Sequence, residues 1–285
     1  MKHCRTIQEV RSEIHSLKMD GKRIGFVPTM GALHEGHISL IRRAHEHSDV
    51  VIVSVFVNPE QFGPNEDYDS YPRELTEDLE KCKQENVSVV FTPDRSGIYN
   101  EKKYLRIEID ELNSHMCGKS RPGFFEGILL IVNKLFNIIQ PDVAVFGQKD
   151  IQQFRIISRM VHEFNHDVEL VMQPITRAND GLALSSRNAY LDDEERKAAP
   201  GLYRSLQYIK KQIEGGVTNP SLLLEHQKSE LEAKRFKIDY LNMFSLKTLQ
   251  PVDVLKKETE YILAGAVWLG KTRLIDNILI ELKQV

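Results

Sequence analysis

Cysteine is scarce in this chain. Three thiols, Cys4, Cys82 and Cys117, are scattered over 285 residues. No two have the spacing of a metal-binding pair, and the odd number offers no disulfide framework. A reduced, cytoplasmic setting is therefore expected. Long apolar runs are also missing: no stretch of eighteen apolar residues occurs, so a transmembrane helix is excluded. The opening Met1-Lys2-His3-Cys4-Arg5 leads into a polar, helix-like stretch without the apolar centre of a signal peptide. An excess of one charge is lacking too. The formal net charge is -3, which gives no whole-chain basic field and argues against a nucleic-acid partner. What is present is ordinary for a globular protein: 41% hydrophobic and 28% charged residues. The length supports one large domain or two modest ones.

The first part alternates two patterns. Short apolar runs at 24–27, 50–57, 87–91, 143–146 and 168–171 read as strands. Amphipathic stretches at 38–46, 74–84, 128–139 and 152–164 read as helices. The run at 50–57 is apolar at nearly every position, the mark of a strand covered on both faces, as in a parallel sheet. Strand–helix repetition predicts an α/β fold, a Rossmann-like doubly wound parallel sheet, over residues 1–175. After it, residues 176–285 read as a smaller α+β domain. Its expected elements are helices at 192–214 and 221–234 and strands at 238–244, 260–267 and 272–276.

Ligands of such sheets collect at the carboxyl ends of the strands, and four polar clusters deserve weighing there. Pro28-Thr29-Met30-Gly31-Ala32-Leu33-His34-Glu35-Gly36-His37 follows the first strand of the alternation. Gly31 and Gly36 permit a tight loop, and a helix starting near His37 turns its N-terminus toward an anion. Imidazoles three residues apart can face one phosphate. A zinc pair is the rival, but its usual helical spacing is i, i+4 with a third ligand. Asn58-Pro59-Glu60-Gln61-Phe62-Gly63 ends the next strand, and its amides suit a small polar substrate; a plain Asn-Pro turn has the same composition. Gly147-Gln148-Lys149-Asp150 offers a backbone approach, a compact cation for phosphate and a carboxylate for Mg²⁺. Gln153 stands one turn later. A solvated helix start is the plain alternative. Asp180 through Asn188, at the domain junction, carries Ser185-Ser186-Arg187, two hydroxyls and a guanidinium able to grip phosphate. A polar linker looks alike.

Taken in order, these motifs resemble the pantoate–β-alanine ligase (pantothenate synthetase) family within the HIGH-motif nucleotidyltransferases. The shared stretches are Pro-Thr-Met-Gly-Ala-Leu-His-Glu-Gly-His, Asn-Pro-x-Gln-Phe, Lys134-Leu135-Phe136-Asn137, Gly-x-Lys-Asp-x-Gln-Gln and Gly-Leu-Ala-Leu-Ser-Ser-Arg-Asn. Trp268-Leu269-Gly270 and Leu274-Ile275-Asp276-Asn277 extend the likeness to about residue 279. The resemblance implies a Rossmann-like domain, a smaller C-terminal lid and a homodimer. The reaction it implies joins pantoate to β-alanine through pantoyl adenylate, with ATP as substrate and Mg²⁺ as cofactor, and without nucleic acid or membrane as partner. It implies His37 as proton donor, with His34, Lys149 and Arg187 as the other catalytic groups. ATP would be lined by Met30, Gly31, Ala32, Leu33, His34, Glu35, Gly36, His37, Gly147, Gln148, Lys149, Asp150, Thr176, Leu184, Ser185, Ser186 and Arg187. Pantoate would be held by Gln61 and Gln153, β-alanine by Gln61, and Mg²⁺ by Asp150. Two positions depart from the family pattern. Phe124 stands where the family usually has His, so no imidazole role is carried over. Gln148 stands for the usual Glu, so that carboxylate is expected to be dispensable.

Three other readings compete: a nucleotidyltransferase acting on a different acid, a non-catalytic nucleotide-binding module, and a metallohydrolase. A phosphorylated substrate would want cations where Gln61 and Gln153 stand.

Overall fold

The computed structural model describes residues 1–64, 66–102 and 104–282. The chain forms two compact units, one of Met1–Ile109 with Arg121–Pro174, the other of Asp110–Ser120 with Ile175–Val285. In chain order the elements begin with β1 (Lys2–Cys4), α1 (Ile7–Met19), β2 (Ile24–Thr29), α2 (Glu35–His45), β3 (Val50–Val55), α3 (Leu75–Gln84), β4 (Val89–Phe91) and α4 (Arg95–Ile98). After α5 (Met116–Ser120), which lies in the second unit, come α6 (Phe124–Ile139), β5 (Val143–Gly147), α7 (Ile151–Glu163) and β6 (Glu169–Gln173). The second unit continues with α8 (Asp193–Ala198), α9 (Gly201–Glu214), α10 (Ser221–Ala233), β7 (Lys237–Ser245), β8 (Thr259–Leu269) and β9 (Thr272–Leu282).

The first unit is a six-stranded sheet in the order β1-β4-β3-β2-β5-β6, parallel throughout. Strand alternation sends Val27, Val51, Val53, Val143 and Val145 to one face, where Ile38, Ile41 and Ala44 of α2 meet them. Phe26 and Phe146 each stack edge-on with Phe136 of α6. Both faces are therefore covered, and that is why β3 lacks polar alternation. Burying a side chain such as Ile41, which is fully inaccessible, contributes about 2 kcal/mol. From β2 the chain runs outward through β3 and β4, then returns to place β5 on the other side of β2. The carboxyl ends of β2 and β5 are thus neighbours at the point where the winding reverses, the place where such sheets bind ligands.

The second unit has a three-stranded antiparallel sheet, β7-β8-β9. Leu202, Leu206, Ile209 and Ile213 of α9 and Leu224 and Leu231 of α10 join Leu263, Val267, Leu274 and Ile278 in its core.

One expectation needs correction, and one element was not foreseen. The opening residues lead, as expected, into a helix, α1, but before it they make an edge strand, β1, parallel to β4; three residues are too few to show a period. The helix expected over 192–214 is two helices, α8 and α9. Pro200 separates them, since it has no N–H to continue the hydrogen bonding of α8, although Ala199 before it keeps helical dihedrals.

Candidate active site

The loop between β2 and α2 is held at every turn. The Thr29 hydroxyl donates to the Ser54 carbonyl at 2.7 Å and accepts from the Gly31 N–H at 3.2 Å. Gly31 and Ala32 both take the left-handed conformation, with φ of 84° and 50°. Glycine accepts this readily and alanine does so at a cost, so something must hold Ala32. Asp78 of α3 does: its carboxylate accepts from Ala32 N–H at 2.9 Å and from Leu33 N–H at 2.7 Å. Lys81, one turn later, donates to the Leu33 carbonyl at 2.8 Å.

His34 then caps α2. Its Nδ1 accepts from Gly36 N–H at 3.0 Å, and His37 Nδ1 accepts from His34 N–H at 3.3 Å. Because both Nδ1 atoms accept from the backbone, the proton of each neutral ring sits on Nε2. The ring centres are 4.2 Å apart. Burial, then the charges of Lys149 and Lys81, push His34 down to about 4. Burial, then the charges of His34, Lys149 and Lys81, push His37 down to about 3. Near neutral pH these are two uncharged Nε2–H donors at the N-terminus of an eleven-residue helix, whose unpaired N–H groups favour an anion.

After β3, Asn58 is buried and saturated. Its side-chain NH₂ donates to Gln61 Oε1 at 3.0 Å and to the Gly127 carbonyl at 3.1 Å. Its Oδ1 accepts from the Tyr99 hydroxyl at 2.8 Å and from Glu60 N–H at 3.2 Å. Gly127 is required here, because a Cβ would lie 1.9 Å from the Glu60 carbonyl oxygen. Asn58 is thus a support, while Gln61 is half-buried and donates to Met30 Sδ at 2.8 Å. Arg121 holds the Gln61 carbonyl at 3.2 Å, pairs with both Glu66 oxygens and lies 3.4 Å from the centre of the Phe124 ring. Where the family usually has His, this chain has a platform for that guanidinium.

After β5, a 3₁₀ turn of Gln148–Asp150 leads into α7. Lys149 is close enough to depress both imidazoles. Asp150 is exposed, Gln152 buried and Gln153 half-buried. The first unit therefore gathers Met30, His34, His37, Gln61 and Lys149. In the second unit, Leu184 N–H donates to the Thr176 carbonyl at 3.0 Å. Ser185 Oγ accepts from Arg187 N–H at 3.3 Å and Ser185 N–H donates to Asn188 Oδ1 at 2.8 Å, winding the turn Ser186–Tyr190. Arg177 secures this segment. It makes a two-pronged pair with Asp276 at 2.6 and 2.8 Å, donates to Gly181 O at 3.1 Å and stacks 3.7 Å from the Tyr203 ring centre.

Sequence reasoning missed the supports Asp78, Lys81, Tyr99, Arg121 and Arg177, and gave no supporting role to Asp276, which it named only within the family likeness. One signal existed. Asp78 shares a helix face with Leu75, Leu79 and Cys82, and an acid on an apolar face needs a partner.

Comparisons with known proteins show the family. The family model "Pantoate-beta-alanine ligase" matches residues 2–279. A pantothenate synthetase of Thermosipho melanesiensis is 50% identical over 262 residues, 92% of this chain and 93% of that protein. One from Fervidobacterium nodosum is 47% identical, covering 99% and 100%. Among solved structures, the Thermus thermophilus pantothenate synthetase has a TM-score of 0.90 at 39% identity, covering 98% and 99% of the two chains. A Francisella tularensis pantoate-beta-alanine ligase, complexed with beta-gamma ATP and beta-alanine, has a TM-score of 0.82 at 37% identity, covering 98% and 97%. The chain belongs to the pantoate–β-alanine ligase family.

Proposed function

We propose that this enzyme condenses pantoate with β-alanine at the expense of ATP, through pantoyl adenylate, releasing pyrophosphate and AMP. Beyond family membership, one observation carries the reading. Two imidazoles with Nδ1 occupied by backbone N–H groups stand at a helix N-terminus beside Lys149, a surface suited to a phosphate chain.

In the first step the pantoate carboxylate attacks the α-phosphorus and the bond to pyrophosphate breaks. Two anions must meet, so positioning and offsetting charge dominate. His34 and His37 donate to the phosphates. The triphosphate's negative charge raises both imidazole pKa values from their depressed positions; His37 takes up a proton at Nδ1, giving up the contact from His34 N–H, and the resulting imidazolium gives its Nε2 proton to the departing pyrophosphate, which leaves a neutral ring. Lys149 and Arg187 offset charge, and Met30–His37, Gly147–Asp150, Thr176 and Leu184–Arg187 line the nucleotide. Gln61 and Gln153 hold pantoate. In the second step the β-alanine amine, near Gln61, attacks the acyl carbon, loses a proton and displaces AMP. No protein nucleophile is needed, because the mixed anhydride carries the activation.

Among the described residues no three or more His, Cys, Asp or Glu side chains gather as a metal cage. Mg²⁺ bound chiefly by substrate phosphates needs only one or two carboxylates, and the exposed Asp150 beside Lys149 fits that role. When bound, the ion neutralises phosphate charge. Among the described residues no helix is long and apolar enough to cross a membrane, and the three thiols are buried without a disulfide. We infer a cytoplasmic enzyme that works as a homodimer, as the family resemblance suggests.

Incubation with Mg-ATP, pantoate and β-alanine should yield AMP only when pantoate is present. Folded protein that makes no pantoate-dependent AMP would overturn the assignment.

A further inference from the structure

Asp78 and Lys81 stand outside every motif that carries the family likeness, yet they hold three backbone groups of the loop that precedes the His34–His37 pair. Asp78 is 1% exposed. Its two oxygens take the consecutive N–H groups of Ala32 and Leu33. Oδ2 also lies beneath Gly31, where an added Cβ would meet it at 2.9 Å. Lys81, with its side chain 35% exposed, takes the Leu33 carbonyl. Donors and acceptors of adjoining peptide units are thus fixed by one helical turn of α3. The left-handed Ala32 would otherwise relax, and with it the start of α2.

We propose that Asp78 and Lys81 are positioning residues for adenylate formation: they lock the backbone of residues 30–33 so that the two imidazoles and the α2 N-terminus present one rigid phosphate-binding surface. The inference rests on the reading of that surface as the ATP site. A bracket of this kind serves the first half-reaction. Pyrophosphate has left before β-alanine attacks, so the second half-reaction makes little use of it. Lys81 has an added effect: its charge is among those that hold His34 and His37 neutral.

The test uses the full chain and separates the half-reactions. The first is followed as pantoate-dependent exchange of labelled pyrophosphate into ATP, the second as conversion of supplied pantoyl adenylate and β-alanine to pantothenate. Asp78→Asn sets an amide NH₂ against one of the two N–H donors. Exchange should fall by about a hundredfold, as for a displacement of roughly 1 Å, while the second half-reaction stays within about twofold. Equal loss of both half-reactions, or loss of neither, overturns the proposal. If Asp78→Asn does not fold, Lys81→Met carries the test, since that side chain reaches solvent. It should slow exchange on the order of tenfold and raise the His34 and His37 titrations seen by NMR. Unchanged exchange with unmoved titrations overturns the proposal. Exchange absent from the unmodified chain overturns the ATP-site reading itself; exchange present there but unaffected in the variants overturns only the bracket.

Discussion

Two loops carry the phosphate chemistry proposed for this enzyme, and they are braced in opposite ways. Residues 30–37 of the first unit are held by a buried carboxylate that accepts from the backbone, at the end of a parallel sheet. Residues 184–188 of the second unit are wound by short polar side chains. They are moored through Arg177, whose guanidinium pairs with Asp276 of β9 and stacks on Tyr203. The first arrangement fixes backbone dihedrals directly, so the side chains it presents add little beyond the capping hydrogen bonds of His34 and His37, about 1 kcal/mol. The second fixes one long side chain against a sheet, and the loop depends on that ion pair. Rigidity in the first loop comes from a distant helix gripping the backbone itself. In the second it is borrowed from the fold.

The largest effects follow from exchanging cause and consequence between the loops. His37→Ala should slow adenylate formation by roughly a hundredfold or more, about 3 kcal/mol in the barrier, while stability falls by only about 1 kcal/mol through loss of the capping hydrogen bond from His34 N–H. Pre-steady-state adenylate formation and thermal melting read the two together. Near wild-type turnover would remove His37 from the mechanism. Arg177→Ala should do the reverse to stability: Asp276, whose side chain is 4% exposed, loses its guanidinium, at about 3 kcal/mol. If urea denaturation shows the His37 variant as the less stable of the two, the contrast between the loops fails.

Acid offers a smaller, graded test. The imidazoles of His34 and His37 are depressed in the folded chain to about 4 and about 3, against an ordinary value near 6.5. As the pH falls below about 6.5, the unfolded chain takes up protons that the folded chain refuses. Stability is therefore full above that pH and declines as pH falls toward the folded values, by at most about 1.4 kcal/mol per pH unit for each ring. Asp78, raised by burial, acts in the opposite sense at the acid end. Denaturation curves between pH 7 and 5 should flatten in His34→Gln/His37→Gln and keep their slope in Arg177→Ala. The smallest effect is expected from Gln148→Glu, which restores the usual family residue: turnover should stay within about twofold.

Much of this site was legible in the chain. The apolar run at β3 announced a covered parallel strand, and the polar clusters after β2, β3 and β5 stood where such sheets bind ligands. The supports were not legible, because hydrogen bonds between Asp78 and Ala32, or Arg177 and Asp276, join positions 46 and 99 residues apart. No local periodicity encodes such pairs. Segment 110–120 shows the same limit. Its packing with the second unit, where Arg273 lies 3.5 Å from Cys117 and Ser120 donates to Asp239, has no sequence signature.

By itself, then, the sequence determined the layer architecture, the family likeness and the order of the candidate site residues along the chain. These follow from hydrophobic period, glycine and proline, and functional-group chemistry, all of which act locally. The tertiary structure alone decided which ring nitrogen of each histidine carries the proton, how far burial lowers their basicity, and what holds a left-handed Ala32 in place. Those properties depend on dielectric surroundings and on backbone donors brought together only when distant segments pack.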